Sequence, residues 1–286
     1  MHFEILYPTP ALQPYITRYV FVRAEGSTDT MTPPKDDPRF VNGKHVQQLL
    51  PNYGSLIFMR NVTADFNGTF SDGLTILGPY RKTVALTTLS GWFEGMLLDF
   101  EPGGLHALLG IDLQELDETI LTAAEYGDEG LKQCDRIFKS YSDAPTIACL
   151  LDAFFAGHLP HREDINYSRV QKAISACDAK KGKISTAEMA SVACLGERQF
   201  LRVFRQYVGI APKQFIRLRR FHRAIQHMQK DAAEGHRIDL IHIALSHGYY
   251  DLSHMALEFQ QMGCVTPGQF RMLGIPLSDD FSIFFA

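Results

Sequence analysis

Two stretches in the C-terminal half of this 286-residue chain repeat one another at a fixed offset, and that repeat narrows the fold more than any other feature. Phe204, Pro212 and Phe215 recur as Phe259, Pro267 and Phe270, each 55 residues on, while Ala190 recurs as Ala244 at 54. One extra residue therefore sits in the turn of the second copy. Each copy reads as a short helix, a tight turn and a second helix. The turns fall at Cys194-Leu195-Gly196 and at Gly248. A small alanine on the first helix lets the second cross close by. Phe200, Val203 and Phe204, or Met255 and Phe259, then bury the inner face of the second helix. Such a helix-turn-helix presents its second helix in a shape that fits a major groove. Asp251 or Ser253 is the expected N-cap of that helix in the second copy.

Between the copies, Pro212 opens a run in which Phe215, Leu218, Ile225 and Met228 keep helical period. Arg217, Arg219, Arg220 and Arg223 crowd the remaining face, so the spacing predicts one continuous basic strut between the two units. Overall charge agrees. Residues 166–276 carry 16 Lys+Arg against 8 Asp+Glu, whereas residues 1–165 carry 12 against 22. A basic segment joined to an acidic one implies that the basic part alone meets a polyanion.

These residues resemble the DNA-binding region of the AraC/XylS family of bacterial transcriptional regulators. In the second copy the resemblance rests on Ile243-Ala244, Gly248-Tyr249-Tyr250-Asp251-Leu252-Ser253-His254, Phe259, Val265-Thr266-Pro267 and Phe270-Arg271. In the first it rests on Met189-Ala190, Arg198, Phe200, Arg202, Phe204 and Gly209-Ile210-Ala211-Pro212. It covers about residues 166–274 and implies a seven-helix module with two recognition helices in successive major-groove turns, about 34 Å apart. Family positions that face bases fall on Arg198, Leu201 and Arg202 in the first copy, and on Ser253, His254 and Leu257 in the second. Arg198 and Arg202 lie one helical turn apart and suit guanine, while Leu201 suits a thymine methyl. Leu257 stands where relatives often carry Arg, so the first copy is expected to specify and the second to position. Gly196 replaces the usual Ser before the first recognition helix, a small loss for an N-cap. Candidates for phosphate contact are Ser185 and Thr186 at a helix start, Arg205 and Lys213.

The expected class is α+β: a β-rich, barrel or cupin-like domain over 1–160, helical at about 105–157, then an all-α DNA-binding domain over 166–276. Short apolar runs at 20–22, 56–59, 74–77 and 96–100 alternate with turns at Pro51-Asn52-Tyr53-Gly54, Asn67-Gly68, Asp72-Gly73 and Gly78-Pro79. Residues 24–44 read as a loop or long hairpin tip. Leu105, Leu108 and Leu109 form one helical stripe and Leu113, Leu116 and Ile120 another, with further helices at 131–138 and 147–155. The polar, proline-containing stretch 158–165 is the expected boundary. Phe100-Glu101-Pro102-Gly103-Gly104 with Leu108-Leu109-Gly110 resembles the N-terminal domain of some family members, where such domains bind small effectors or mediate dimerisation. Tyr80, Trp92, Phe93 and Phe100 are the effector-pocket candidates, although aromatics of this kind fill a core equally well.

Chemistry other than recognition finds little support. His158/His161 and His242/His247 lack a third ligand at metal spacing, and neither a phosphate-binding loop nor a dinucleotide fingerprint occurs. Glu94, Asp99 and Glu101 read as solvated strand carboxylates rather than an acid pair. Neither enzyme activity nor cofactor nor metal is therefore expected. Five scattered cysteines, residues 1–6 without signal-peptide character and the lack of a long apolar run point to a cytoplasmic protein without a membrane partner. Expected partners are double-stranded DNA, a small-molecule effector, RNA polymerase and a second copy of the chain. The alternative is a ligand-binding or enzymatic N-terminal domain with an accessory DNA-binding module. The tail 277–286, acidic and apolar, is a segment that packs back onto the protein or serves no legible role.

Overall fold

A bend at Asp72-Gly73 helps break the N-terminal chain into short extended runs, which in the computed structural model pair as two antiparallel sheets; the turn expected at Gly78-Pro79 is corrected, because both residues lie inside a strand. The structure describes residues 2–26, 40–41, 44–49, 53–61, 64–66, 69–82, 84–88, 91–263, 266–272 and 283–284. The strands are β1 (His2–Leu6), β2 (Ile16–Gly26), β3 (Phe40–Val41), β4 (Lys44–Leu49), β5 (Tyr53–Arg60), β6 (Ala64–Phe66), β7 (Thr69–Ser71), β8 (Thr75–Pro79), β9 (Val84–Thr88), β10 (Gly91–Phe100), β11 (Ile120–Thr122) and β12 (Ile283–Phe284). The first sheet runs β1-β2-β10-β5-β8-β11, and the second runs β12-β4-β9-β6-β7 with β3 on β4. Strand β10 is central, with Met96 opposite Phe21 on one side and Phe58 on the other. Tyr19, Phe21, Leu56, Phe58, Ile76, Met96 and Leu98 point into one core. Val20, Val22, Ile57 and Leu97, on the other face, are buried as well. Burial on both faces explains why these strands read as apolar runs rather than alternations.

Helices α1 (Gly104–Leu109), α2 (Ala123–Tyr126), α3 (Glu129–Ser140) and α4 (Ala144–Ala156) follow. Asp128 and Asp143 cap α3 and α4, and Pro145 sits in the first turn of α4. Leu131, Phe138, Ile147, Leu151 and Phe155 close the first core. The expected helical stripe at Leu113, Leu116 and Ile120 is corrected. Gly110, left-handed at φ 69°, ends α1, and an Asp112 carboxylate accepts the Gln114 N–H in a turn. Ile120 then enters β11 opposite Leu77, while Leu113 and Leu116 stay buried from turns. The loop reading of 24–44 is corrected at both ends, where β2 extends to Gly26 and Phe40 pairs with His45; residues 27–39 lie outside the described residues. Of the tail, Ile283 and Phe284 pair with Leu49 and Gln48 at the edge of the second sheet.

Seven helices follow among the described residues: α5 (Ile165–Ala179), α6 (Thr186–Val192), α7 (Glu197–Val208), α8 (Pro212–Ala233), α9 (Leu240–Ser246), α10 (Leu252–Gly263) and α11 (Pro267–Met272). Their core gathers Phe200, Phe204, Phe215, Phe221 and Phe259, all fully buried. Each contributes about 1.5–3 kcal/mol through burial. Tyr53 of β5 belongs to this second core, its ring 5.0 Å from Phe215.

Candidate nucleic-acid interface

In the first helix-turn-helix, Ser185 and Glu188 start α6 with reciprocal bonds. The Ser185 hydroxyl accepts the Glu188 N–H at 3.2 Å, and the Glu188 carboxylate accepts the Ser185 N–H at 2.8 Å. Cys194, at φ 53°, turns the chain, and Gly196 caps α7 without a side-chain bond. The next helix is sharply two-sided. Phe200, Val203, Phe204 and Tyr207 are buried, whereas Arg198, Arg202 and Arg205 are exposed at i, i+4 and i+7. Among the described residues none of these three arginines has an ion-pair partner. Leu201 lies half-buried at the margin of the two faces.

The second unit copies the shape with other chemistry. Asp239 caps α9, and Gly248 takes the left-handed turn at φ 82°. The Asp251 carboxylate accepts the His254 N–H at 2.7 Å, so Asp251 and not Ser253 caps α10. Met255, Glu258 and Phe259 face inward; Ser253 and Leu257 are exposed and His254 is half-buried. At matched positions, Arg198, Arg202 and Arg205 become Ser253, Leu257 and Gln260.

Helix α8 joins the units with 22 residues. At about 1.5 Å per residue it spans about 33 Å, close to one turn of duplex. Its expected basic face is corrected, because those arginines are already paired. Asp178 of α5 holds Arg219 and Arg223, the latter at 3.0 Å. Glu258 holds Arg217 at 2.8 Å and Arg220 at 3.2 Å. A residue count registers charge but not its pairing.

A groove of about 600 Å³ opens along the strut. Ser185, Thr186 and Lys213 border it from one side, His254 and Leu257 from the other. Three phosphate candidates thus meet two base-contact candidates of α10, while Arg198, Leu201, Arg202, Arg205 and Ser253 lie outside it. Gly182, at φ 74°, packs so closely on Arg220 that a Cβ there would stand 2.8 Å from its Cγ. The exposed lysines flanking it, Lys181 and Lys183, were missed in the sequence, where a Lys-Gly-Lys turn was the available sign.

A family model described as a helix-turn-helix domain matches residues 189–272, a span that holds the strut, the second unit and all of the first but the start of α6. Residues 189–272 thus form a helix-turn-helix domain of that family. No curated protein matches the chain. Among solved structures, ToxT from Vibrio cholerae is 11% identical, with 89% of this chain and 98% of that one covered and a TM-score of 0.48. ToxT from Vibrio cholerae strain SCE256 with an unsaturated fatty acid bound is 10% identical over 83% and 94%, at TM-score 0.47. The AraC-like transcriptional activator CuxR is 12% identical over 72% and 76%, at 0.28.

Helix α7, the second helix of the first unit, is seated directly in the N-terminal half. The Leu113 N–H donates to the Gln206 carbonyl at 3.3 Å, and the His106 ring stands 4.2 Å from Tyr207. The Tyr207 hydroxyl bonds the Asp164 carboxylate at 2.7 Å. Gly209, at φ 81°, ends α7 where a Cβ would collide with Pro79 and lie 2.8 Å from the Leu113 carbonyl oxygen. The effector-pocket candidates are dispersed. Phe100 is buried in the first core against Phe155, Tyr80 donates to the Glu118 carbonyl at 3.0 Å, and the side chains of Trp92 and Phe93 lie outside the described residues. Glu94 and Asp99, read as solvated, are instead buried and paired: Glu94 with Arg23 and Arg60, Asp99 with Arg18 at 2.9 Å.

Two histidine pairs remain. His158 bonds the Phe154 carbonyl at 2.8 Å. His247 lies 3.0 Å from His227 of α8, and its pKa is pushed down to about 4, first by burial and then by His227, Arg223, Lys181 and His242. Among the described residues no group of three or more His, Cys, Asp or Glu is arranged to hold a metal ion, and no helix is long and apolar enough to cross a membrane.

Proposed function

We propose that the chain is a cytoplasmic, sequence-specific transcriptional regulator, divided near residues 158–165 and without catalytic activity of its own. The observation that carries this reading is the stripe Arg198-Arg202-Arg205, exposed and without ion-pair partners among the described residues, on the second helix of an AraC-type unit. Arg198 and Arg202 read guanines in the major groove and Leu201 covers a thymine methyl. Arg205, Lys213, Ser185 and Thr186 neutralise or bond phosphates. Ser253, His254 and Leu257 seat the second helix in the next groove with little base discrimination.

The N-terminal half is the sensing part, for a small effector, and the surface for self-association or contact with RNA polymerase. Its contacts to Gln206, Tyr207 and Gly209 give an effector a direct route to the first reading helix. Affinity for duplexes enriched from a random DNA pool, measured against salt, tests the reading. A steep log–log slope is expected, and a flat one would overturn it.

A further inference from the structure

The two acids that hold the strut are isolated in an otherwise basic region. Asp178 lies on α5 and receives Arg219 and Arg223; Glu258 lies on α10 and receives Arg217 and Arg220. The four arginines thus split by direction, i and i+4 toward α5, which packs on both helices of the first unit, and i and i+3 toward the second unit. Glu258 is the more telling partner. Its side chain is 4% exposed, and one carboxylate oxygen has no hydrogen-bond partner. Val203 fills the matched position in the first unit, so methyl groups suffice to pack a helix there. Apolar packing is the less costly filling for such a site, since burying a charge requires its desolvation. What the carboxylate adds is direction, because guanidinium N–H bonds fix rotation and translation where apolar contact permits sliding.

We infer that Glu258 and Asp178 are positioning residues for DNA recognition: they fix the angle and separation of the two reading helices and so set the half-site spacing the protein accepts. The inference rests on the regulator reading above. Neither acid acts as a base reader; each acts through arginines of α8. One inserted base pair rotates the second half-site by about 34° and moves it about 3.4 Å, more than a clamped pair of helices can follow.

The experiment uses the full chain and duplexes enriched on it from a random DNA pool, with one base pair inserted or deleted between the two protected segments. Wild type is expected to lose tenfold or more in affinity for either change. Glu258→Gln, and the volume-matched Glu258→Met, are expected to lose less than threefold for the same changes, as is Asp178→Asn. Arg217→Gln, which removes one arm of the clamp at a more exposed position, is expected to fall between. A wild-type spacing profile in these variants would overturn the inference while leaving DNA binding intact. Failure of wild type to enrich any duplex would instead overturn the regulator reading, and this inference with it.

Discussion

The two helix-turn-helix units share a backbone plan but are built on opposite electrostatics. The first turns three arginines outward and buries Val203; the second turns Ser253, Leu257 and Gln260 outward and buries Glu258. The first is seated in the N-terminal half through Gln206, Tyr207 and Gly209, whereas ion pairs to the strut hold the second. Repetition of a shape therefore does not repeat a role. One unit has its charge available to a partner, and the other uses charge to hold its own place.

The largest test compares Phe204→Ala with Phe259→Ala, matched positions that are both fully buried. Each is expected to cost about 3–5 kcal/mol. The comparison predicts different consequences: Phe204→Ala should shift urea unfolding seen by Trp92, the single tryptophan, whereas Phe259→Ala should release the second unit and leave that signal nearly in place. Equal shifts of the tryptophan transition would erase the distinction.

Tyr207→Phe removes the bond to Asp164, for which Met262 at the matched position has no counterpart. A loss of about 1.5–3 kcal/mol is expected, as for a hydrogen bond to a charged group. Calorimetry should show a lower melting temperature, since the bond holds α7 to the N-cap of α5. A melt indistinguishable from wild type would remove this bond from the comparison.

For binding, Arg202→Ala should lose about 1–3 kcal/mol of discrimination between selected and scrambled duplexes. The matched Leu257→Ala should lose under about 0.5 kcal/mol. Losses of equal size, or an Arg202→Ala loss equal on all DNA, would reverse the assignment of reader and positioner.

The smallest effect concerns acid. His247 lies in the second unit, where the first has Ala193. Its folded pKa of about 4 lies below the unfolded value near 6.5, so the unfolded chain takes up the proton first. Stability is full above pH 6.5 and falls as the pH drops from there toward 4. His247→Gln should flatten that part of a melting-temperature profile, and an unchanged profile would show that the group is not responsible.

Periodicity and turn chemistry made the helical half legible. Both units, Pro212 at the start of the strut and the four central strand runs of the first sheet stand where the pattern placed them. Leu113, Leu116 and Ile120 misled because buried leucines in turns mimic a helical stripe when a strand follows. Arg198 and Arg202 were legible as outward residues, because the opposite face of α7 is apolar. Arg217, Arg219, Arg220 and Arg223 were not legible as paired, since Asp178 and Glu258 reach them only through tertiary folding. Both acids carried a faint sign, each being a lone negative charge on its helix.

If α7 reads DNA as proposed, its seating makes the helix a lever with its fulcrum in one half of the molecule and its tip on the nucleic acid. Arg198 lies eight residues from Gln206, about 12 Å along the axis. A tilt of about ten degrees at the seat would carry the guanidinium about 2 Å, beyond the tolerance of a bidentate hydrogen bond. A displacement too slight to disturb the packing of the N-terminal half would thus be enough to release a promoter.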